Sequence, residues 1–377
     1  MDQIIGLVTQ YTKPRNEDEF LDRLNFQYTS YIFAFSALAI GYNTYFGTAI
    51  SCWTPAEFKK GWIEYTRDYC LIENTYYVPL EDPDMPNQNY RENGELTYYQ
   101  WVQFILVFLA FLFYLPYLFW STVNWWSGLQ VRSVVKAACE LDKIDEAKRK
   151  AGIEKIASHL AKYLDRQEKK TTISFVPNSI GRNWVAWSYV LTKFLFVINI
   201  IAQMILIHTF LGFKWNEFFT LRVGFSSNWI ATGIFPRQTM CDFEVRNKGN
   251  VQKYSVQCVL SMNMLNEKIF LALFYWLIVL FILTTTSLIT SIGAFFRYNN
   301  RTDFFSRMLG SYEDDHQPEK RPFIDRPADF DTRKPIQLLS TSPDLAVALH
   351  LIAKNAGDNV CSSVVLMLAQ KIPNRSH

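Results

Sequence analysis

The sequence predicts an all-α membrane protein with four transmembrane helices, on three observations. The apolar residues gather into four blocks, the basic residues collect on one side of the topology those blocks impose, and the cysteines sort by side. Of the 377 residues 19% are charged, and mean hydropathy is near zero, values a soluble chain would also show. That average hides the segregation. TSYIFAFSALAIGYNTYFGTAI (29–50), WVQFILVFLAFLFYLPYLFW (101–120), WSYVLTKFLFVINIIAQMILIHTFLGF (187–213) and IFLALFYWLIVLFILTTTSLITSIGAFF (269–296) stand apart from polar surroundings. Each reaches the roughly 20 helical residues needed to cross a hydrocarbon core. One such block reads equally well as a buried core helix; four do not.

The N-terminal stretch MDQIIGLVTQYTKPRNEDEF has no basic n-region, long apolar core or small-residue cleavage site, and is expected to stay in the mature chain. Four spans then put both termini on one side. Residues 132–182 and 297–375 carry most of the Lys and Arg, whereas the loop between the first two spans has Lys59, Lys60, Arg67 and Arg91 against nine acidic residues. The positive-inside rule makes the termini and middle loop cytoplasmic. The expected organisation is a cytoplasmic N-terminal segment (1–28), spans at 29–50, 100–120, 185–212 and 268–296, extracellular loops at 51–99 and 213–267, a cytoplasmic loop at 121–184 and a cytoplasmic tail at 297–377. Trp101 and Trp215 fall at outer ends, and Trp120, Trp125, Trp126, Trp184 and Trp187 at inner ends, as an interfacial aromatic belt requires.

Cys52 and Cys70 lie in the first outer loop, Cys241 and Cys258 in the second, Cys139 and Cys361 on the cytoplasmic side. The outer four sit where disulfides persist and the inner two should be reduced thiols. Four cysteines allow three pairings. Cys52 and Cys258 are nearest their membrane ends, so nesting Cys52–Cys258 around Cys70–Cys241 would staple both loops into one disulfide-linked extracellular domain. Zinc held by the four thiols is the rival, but no CxxC spacing is present. Between the first two cysteines, Thr54, Pro55 and Glu57 read as the N-cap, first position and capping box of a short helix. Its Phe58, Trp62 and Tyr69 share a face that should pack on the second loop.

The cytoplasmic parts read as a helical domain. Residues 143–170 mix both charge signs with spaced Ile and Leu, as a solvated amphipathic helix does. In the tail, Ser342 and Pro343 open a helix through Leu345, Leu349 and Ile352 that Gly357 could end, and 312–335 reads as a linker. Pro116 inside the second span removes a backbone donor and marks a possible hinge. Lys193 and His208 lie near opposite ends of the third span. Structural roles are expected for both, with Lys193 snorkelling to the cytoplasmic interface. The five histidines are scattered, and no P-loop, dinucleotide glycine motif or nucleophile elbow is present. No enzyme activity, cofactor, metal or nucleic-acid partner is expected.

The segment entering the second span, TYYQWVQFILVFLAFLFYLPYLFW, carries YYQWV and a later FYxP and resembles the innexins, the invertebrate gap-junction proteins. CWTPAEF, FPRQTMCDFEVR (235–246), YSVQCVLSMNMLNEKIFLALFYWL (254–277) and DLAVALHLIAKNAGDNV (344–360) extend the resemblance from the first span almost to the C-terminus. It implies an oligomeric channel in the plasma membrane at cell–cell junctions. A ring of like subunits, octameric in at least one innexin, would dock head to head with a ring of the adjacent cell and pass ions and small metabolites. Hetero-oligomers with other innexins and contact with membrane lipid are also implied. Four spans cannot enclose a wide pore within one subunit, so a channel must be oligomeric.

The first span carries Ser36, Gly41, Asn43 and Thr44 and is the best wall for water, with Ser36 and Asn43 as candidate pore-lining residues. Small polar residues also mediate helix packing. Before it, Met1, Ile4, Ile5, Leu7, Val8 and Tyr11 share one helical face, while Asp2, Gln3, Gly6, Thr9 and Gln10 share the other. With the resemblance, this segment is expected to fold into the pore mouth, with Asp2, Gln3, Gly6 and Thr9 toward the lumen. Two alternatives are an undocked, pannexin-like large-pore hemichannel and a four-span adhesion or organiser protein. The N-x-[ST] sequons, Asn300 and Asn374, fall in the tail, which leaves both outer loops free of glycan that would block docking.

Overall fold

The computed structural model describes residues 18–73, 75–78, 85–87, 89, 91, 94–141, 146–169, 183–212, 235–310 and 333–371. Helices run in the order α1 (Phe20–Arg23), a π-turn (Leu24–Tyr28), α2 (Thr29–Phe46), α3 (Lys60–Ile72), α4 (Tyr98–Trp126), α5 (Val131–Leu141), α6 (Glu146–Lys169), α7 (Trp184–Leu211), α8 (Ser261–Phe296), α9 (Tyr298–Gly310), α10 (Arg333–Ser340), α11 (Pro343–Ala356) and α12 (Asp358–Lys371). Among the described residues α4, α7 and α8 are long and apolar enough to cross a membrane. The first predicted span forms α2, 18 residues that include serine, glycine, asparagine and threonine. Together α10 and α11 are also apolar enough, but they bend by 104° at their junction, and their apolar side chains are committed to a helical core. The chain divides into two compact units, residues 1–26, 115–197 and 282–377 in one and residues 27–114 and 198–281 in the other.

The first unit is helical. From Pro343 to Leu349 every residue of α11 is buried, and so is every residue of α12 from Val360 to Leu366. Helices apolar on all sides belong at a centre, and α5, α6, α9, α10 and the adjoining ends of α7 and α8 surround these two. Asp344, in the first turn of α11, is fully buried. Its carboxylate accepts the backbone N–H of Ala186 at 2.8 Å, the Tyr163 hydroxyl at 2.7 Å and the Gln167 amide at 2.9 Å. It therefore caps the N-terminus of α7 rather than its own helix, satisfying an orphan donor there. Ser342 sits at the predicted N-cap of α11 but makes no side-chain cap, its hydroxyl donating instead to Gln167 Oε1. Gly357 follows α11 with φ +89°, a left-handed geometry that favours glycine. Asn124, near the end of α4, accepts the Val131 N–H at 3.0 Å and starts α5.

The second unit corrects the all-α expectation, because it holds an antiparallel five-stranded sheet of order β1-β5-β4-β2-β3. The strands are β1 (Ser51–Trp53), β2 (Thr75–Tyr76), β3 (Glu95–Leu96), β4 (Gln238–Asn247) and β5 (Asn250–Val259). Alternation builds β4 and β5: Cys241 and Phe243 point inward on one, Val256 and Cys258 on the other. Lys248 and Gly249 turn the hairpin with φ +48° and +91°, the two positive values of a type I′ turn. Loop helix α3 starts at Lys60, five residues after the predicted Pro55, and Thr54 does not cap it. The stretch before it holds a turn in which the Phe58 N–H reaches Pro55 O at 3.0 Å. Phe58 packs on Tyr254 and Tyr69 on Phe243, whereas Trp62 is exposed.

Cys52 is bonded to Cys258 and Cys70 to Cys241, the nested arrangement of the three. The first bond joins directly paired residues of β1 and β5, and the second ties α3 to β4. The sulfurs of Cys52, Cys70 and Cys258 lie within 4.8 Å of one another, in one core with Ile50, Tyr99, Phe243, Val256 and Leu260. Closing a loop of 206 residues removes about 5 kcal/mol of unfolded-chain entropy in the chain-entropy account.

Replacing Cys70→Ser should lower stability by about 2–5 kcal/mol. The Cys70→Ser, Cys241→Ser double variant should fall within about 0.5 kcal/mol of it, since both remove one bond. Thermal melts of purified protein under non-reducing conditions read this, and additive losses would contradict the pairing. A second expectation concerns His350 on α11, edge-on to Phe295 at 5.6 Å and beside Phe304 at 5.8 Å. Burial, then the Lys354 charge, lowers its pKa to about 4 from an ordinary 6.5. The unfolded chain therefore takes up this proton first, so stability is whole above about pH 6.5 and is lost as pH falls toward about 4. Melting temperature should drop less between pH 7.5 and 4.5 in His350→Leu than in the parent; equal drops would remove His350 from the account.

Candidate functional site: the first span and its anchors

Each long helix carries an exposed apolar stripe at three- and four-residue spacing. On α2 it is Tyr31, Phe35, Leu38, Tyr42 and Tyr45; on α4, Trp101, Phe104, Phe108, Phe111, Leu115 and Leu118. Such stripes suit lipid or a neighbouring subunit. At 100° per residue, Ser36 and Asn43 lie about 120–140° round α2 from the centre of its stripe, and both are half-buried. The Ser36 hydroxyl donates to Ile32 O at 2.8 Å and that of Thr44 to Ile40 O at 2.9 Å, so each is satisfied by its own helix. Asn43 O accepts the Gly47 N–H at 3.1 Å. A Cβ on Gly47 would lie 2.6 Å from both Asn43 O and Oδ1, which places glycine where the helix stops. Gly41 backs onto α4, a Cβ there meeting Gln103 Oε1 at 3.3 Å, and Gln103 donates to the Tyr45 hydroxyl at 2.8 Å.

Asp2, Gln3, Gly6 and Thr9 lie outside the described residues, as do Trp215, Asn374 and most of the 312–335 linker. Pro116 is buried within α4, which runs through it unbroken. The four cysteines Cys52, Cys70, Cys241 and Cys258 are joined in the two disulfides already described. Cys361 is buried and Cys139 half-buried, and neither takes part in a disulfide.

The helical unit holds a charged centre that sequence reasoning missed. Asp18, Glu19 and Asp22 are all buried. Lys193, 1% exposed, places its ammonium 2.7 Å from Glu19 Oε2, 3.0 Å from Asp22 Oδ1 and 2.7 Å from the Ser287 hydroxyl. It is enclosed by protein and does not snorkel to an interface, because partners from α1 and α8 meet it where it stands. The Tyr189 hydroxyl donates to Asp22 Oδ2 at 2.8 Å. Lys354 of α11 pairs with the other Glu19 oxygen. Arg132 of α5 pairs with Asp18 at 2.9 Å and lies over the Tyr117 ring at 4.6 Å. Burial pushes the Glu19 carboxyl up, but Lys193 and Lys354 together hold it down at about 2. Burial raises the carboxyl of Asp22 against the pull of Lys193.

Just after this centre the chain passes through the π-turn. Asn25 Nδ2 donates to Leu21 O at 2.8 Å, and its amide exchanges hydrogen bonds with the Thr284 hydroxyl at 3.0 and 3.2 Å. π-Turns inside helices recur at functional positions. The visible signal was an acidic run before the first span and one lysine within the third. The link between them, 174 residues apart for Glu19 and Lys193, carries no local periodicity.

The innexin family profile matches residues 18–372. Innexin eat-5 of Caenorhabditis elegans is 32% identical over 377 residues, covering 96% of this chain and 89% of that protein. Innexin unc-9 of the same species is 38% identical over 271 residues, 69% of this chain and 70% of the relative. Innexin-19 of Caenorhabditis briggsae is 32% identical over 391 residues, 96% and 88% of the two chains. A match running from the buried acidic residues to the last tail helix, together with apolar helices of membrane-crossing length and two disulfides, has one reading: the chain belongs to the innexin family.

Proposed function

We propose that this chain is a gap-junction channel subunit that assembles into a homo-oligomeric ring, an octamer by analogy with the family, and docks head to head with a ring of the adjacent cell. The observation that carries the reading is family membership over nearly the whole chain. The heptad-spaced apolar stripes support it, since a subunit in a ring needs faces for lipid and for neighbours. The disulfide-tied sheet supports docking, because it gives a rigid surface on what this topology makes the extracellular side. In this reading the helical unit and both termini are cytoplasmic, α2 is the fourth span, and hetero-oligomers with other innexins use the same faces.

Ions and small metabolites pass a wide aqueous pore whose wall is α2, with Ser36 and Asn43, and the segment before it, with Asp2, Gln3, Gly6 and Thr9. Pro116 offers a hinge in the second span. A ring of Asp2 carboxylates favours cations modestly, because salt screens charge over about 8 Å in a wet pore.

Paired-cell recording tests the function. Current should pass between two cells that both express the chain and vanish when neither does. Current into single cells without transfer between pairs would instead establish an undocked hemichannel. In the conducting pair, Asp2→Lys should move reversal potentials in asymmetric salt toward anions by a few millivolts, on the order of the screened field, without changing surface expression. An unchanged reversal potential would remove Asp2 from the pore wall.

A further inference from the structure

We infer that Cys52, Cys70 and Cys258 form a thiol–disulfide exchange site in the sheet-bearing unit. A small external thiol enters it at Cys52, and the site passes a bond from Cys52–Cys258 to Cys70–Cys258. That such a thiol meets the site on a living cell rests on the channel topology proposed above; the exchange itself does not.

Exchange needs a thiolate that can reach one disulfide and a second disulfide within reach of the sulfur it expels. The bonds run Cys52–Cys258 and Cys70–Cys241, yet the sulfurs of Cys52, Cys70 and Cys258 lie within 4.8 Å of one another. Cys70 therefore stands beside a bond of which it is no part, and Cys258 stands beside the other. Cys241 lies outside this group of three. Access to the sulfurs is unequal. Cys70, Cys241 and Cys258 are buried in the core with Ile50, Tyr99, Phe243 and Leu260. Cys52 is half-buried and sits between the exposed residues Ser51 and Trp53. It belongs to β1, a strand of three residues at the edge of the sheet, and an edge strand has one flank without a neighbour. A thiol arriving from solvent meets Cys52 first.

The external thiolate attacks Cys52 Sγ. A sulfur–sulfur bond forms between them, the Cys52–Cys258 bond breaks, and its electron pair leaves on Cys258. A thiolate is costly in apolar surroundings, and this one has two sulfurs in reach. Attack on Cys52 reverses the step. Attack on Cys70 forms Cys70–Cys258, breaks Cys70–Cys241 and sends the electron pair to Cys241, which takes the proton that the external thiol gave up. One thiol and two disulfides enter, and one thiol and two disulfides leave, so no oxidant or reductant is consumed. After transfer Cys70 ties α3 to β5, and the two loop segments stay joined. Strand β1 has lost its covalent bond to β5 and carries the external thiol at Cys52. The strand released is the one that follows α2 across residues 47–50.

The test uses the full-length protein in lipid nanodiscs, treated with reduced glutathione. Free thiols are then blocked with a maleimide, and the unreduced peptides are mapped by mass spectrometry. Glutathione should be found on Cys52 and on none of Cys70, Cys241 and Cys258. A Cys70–Cys258 peptide should appear, with Cys241 as its blocked thiol. Glutathione on Cys52 with the blocked thiol at Cys258 alone would deny the transfer, and no adduct at Cys52 would deny the entry. Cys52→Ser isolates the second step, because it leaves Cys258 as a thiol beside Cys70–Cys241. Part of this variant should hold Cys70–Cys258 before any glutathione is added. That share should be unchanged by about tenfold dilution, since the exchange occurs within one molecule; a variant holding Cys70–Cys241 alone would overturn the inference. Cys70→Ser leaves Cys241, outside the group, and should keep Cys52–Cys258 alone; rearranged bonds there would deny that these three sulfurs are the site. Should Cys52→Ser fail to fold, the parent peptides decide by themselves. Glutathione given to intact cells should make the same Cys52 adduct. An adduct on purified protein but none on cells would defeat the outward placement of this unit and leave the exchange standing.

Discussion

An ammonium group kept from water must be given charge and hydrogen bonds in return, and Lys193 is the point where this chain meets that demand. Unpaired, the group would cost several kcal/mol. Glu19 and Asp22 of α1, Ser287 of α8 and Lys193 itself on α7 therefore have to coincide in space. Sliding any of the three helices by one turn would strand the charge. Apolar helices packed side by side have many nearly equivalent registers, since one leucine serves much like another. A buried charge with three directional partners selects among them, a role polar groups are known to play in helix assemblies. The amide of Asn25 with Thr284 adds a second polar register mark one turn further along.

The sheet-bearing unit solves the same problem covalently. Its apolar core is small, and several of its strands are only two or three residues long. Pairs of short strands are marginal on their own. Two disulfides supply what the core lacks, one holding β1 in register with β5 and the other seating α3 on β4. The Tyr76 hydroxyl and Arg91 converge on Asp242, at 3.1 and 2.6 Å, and hold the far side of the sheet where no sulfur reaches.

What could be read from the sequence followed its local signals. Long apolar runs announce α4, α7 and α8, and spaced Ile and Leu announce α6, because helical periodicity is contained within one segment. Compartment sorting singled out the four paired cysteines. The sheet was missed although NKGN between alternating residues carries a turn glycine, because β1, β2 and β3 are only two or three residues long, too short to show alternation. Thr54 and Pro55 offered a helix start that the fold declined, since Phe58 was needed against Tyr254 before the helix could begin. The charged centre was illegible for a different reason. Glu19, Lys193 and Lys354 belong to three distant stretches, and nothing local in any of them names the others. A reading by composition assigned Lys193 to the interface, where an isolated lysine would indeed go.

The nesting of the disulfides has a consequence in time. Neither Cys52 nor Cys70 has its partner until the ribosome has passed Cys258 or Cys241, 206 and 171 residues later. At about 5–20 residues per second, the earlier thiols wait on the order of 10–40 s, a period in which α4 and α7 are made as well. Throughout it Cys52 and Cys70, only 18 positions apart, are each other's nearest oxidisable neighbours. A wrong bond is therefore available sooner than a right one. Maturation of this unit consequently depends on exchange or on delay, and a cell that makes this chain must keep those two thiols from settling with each other first.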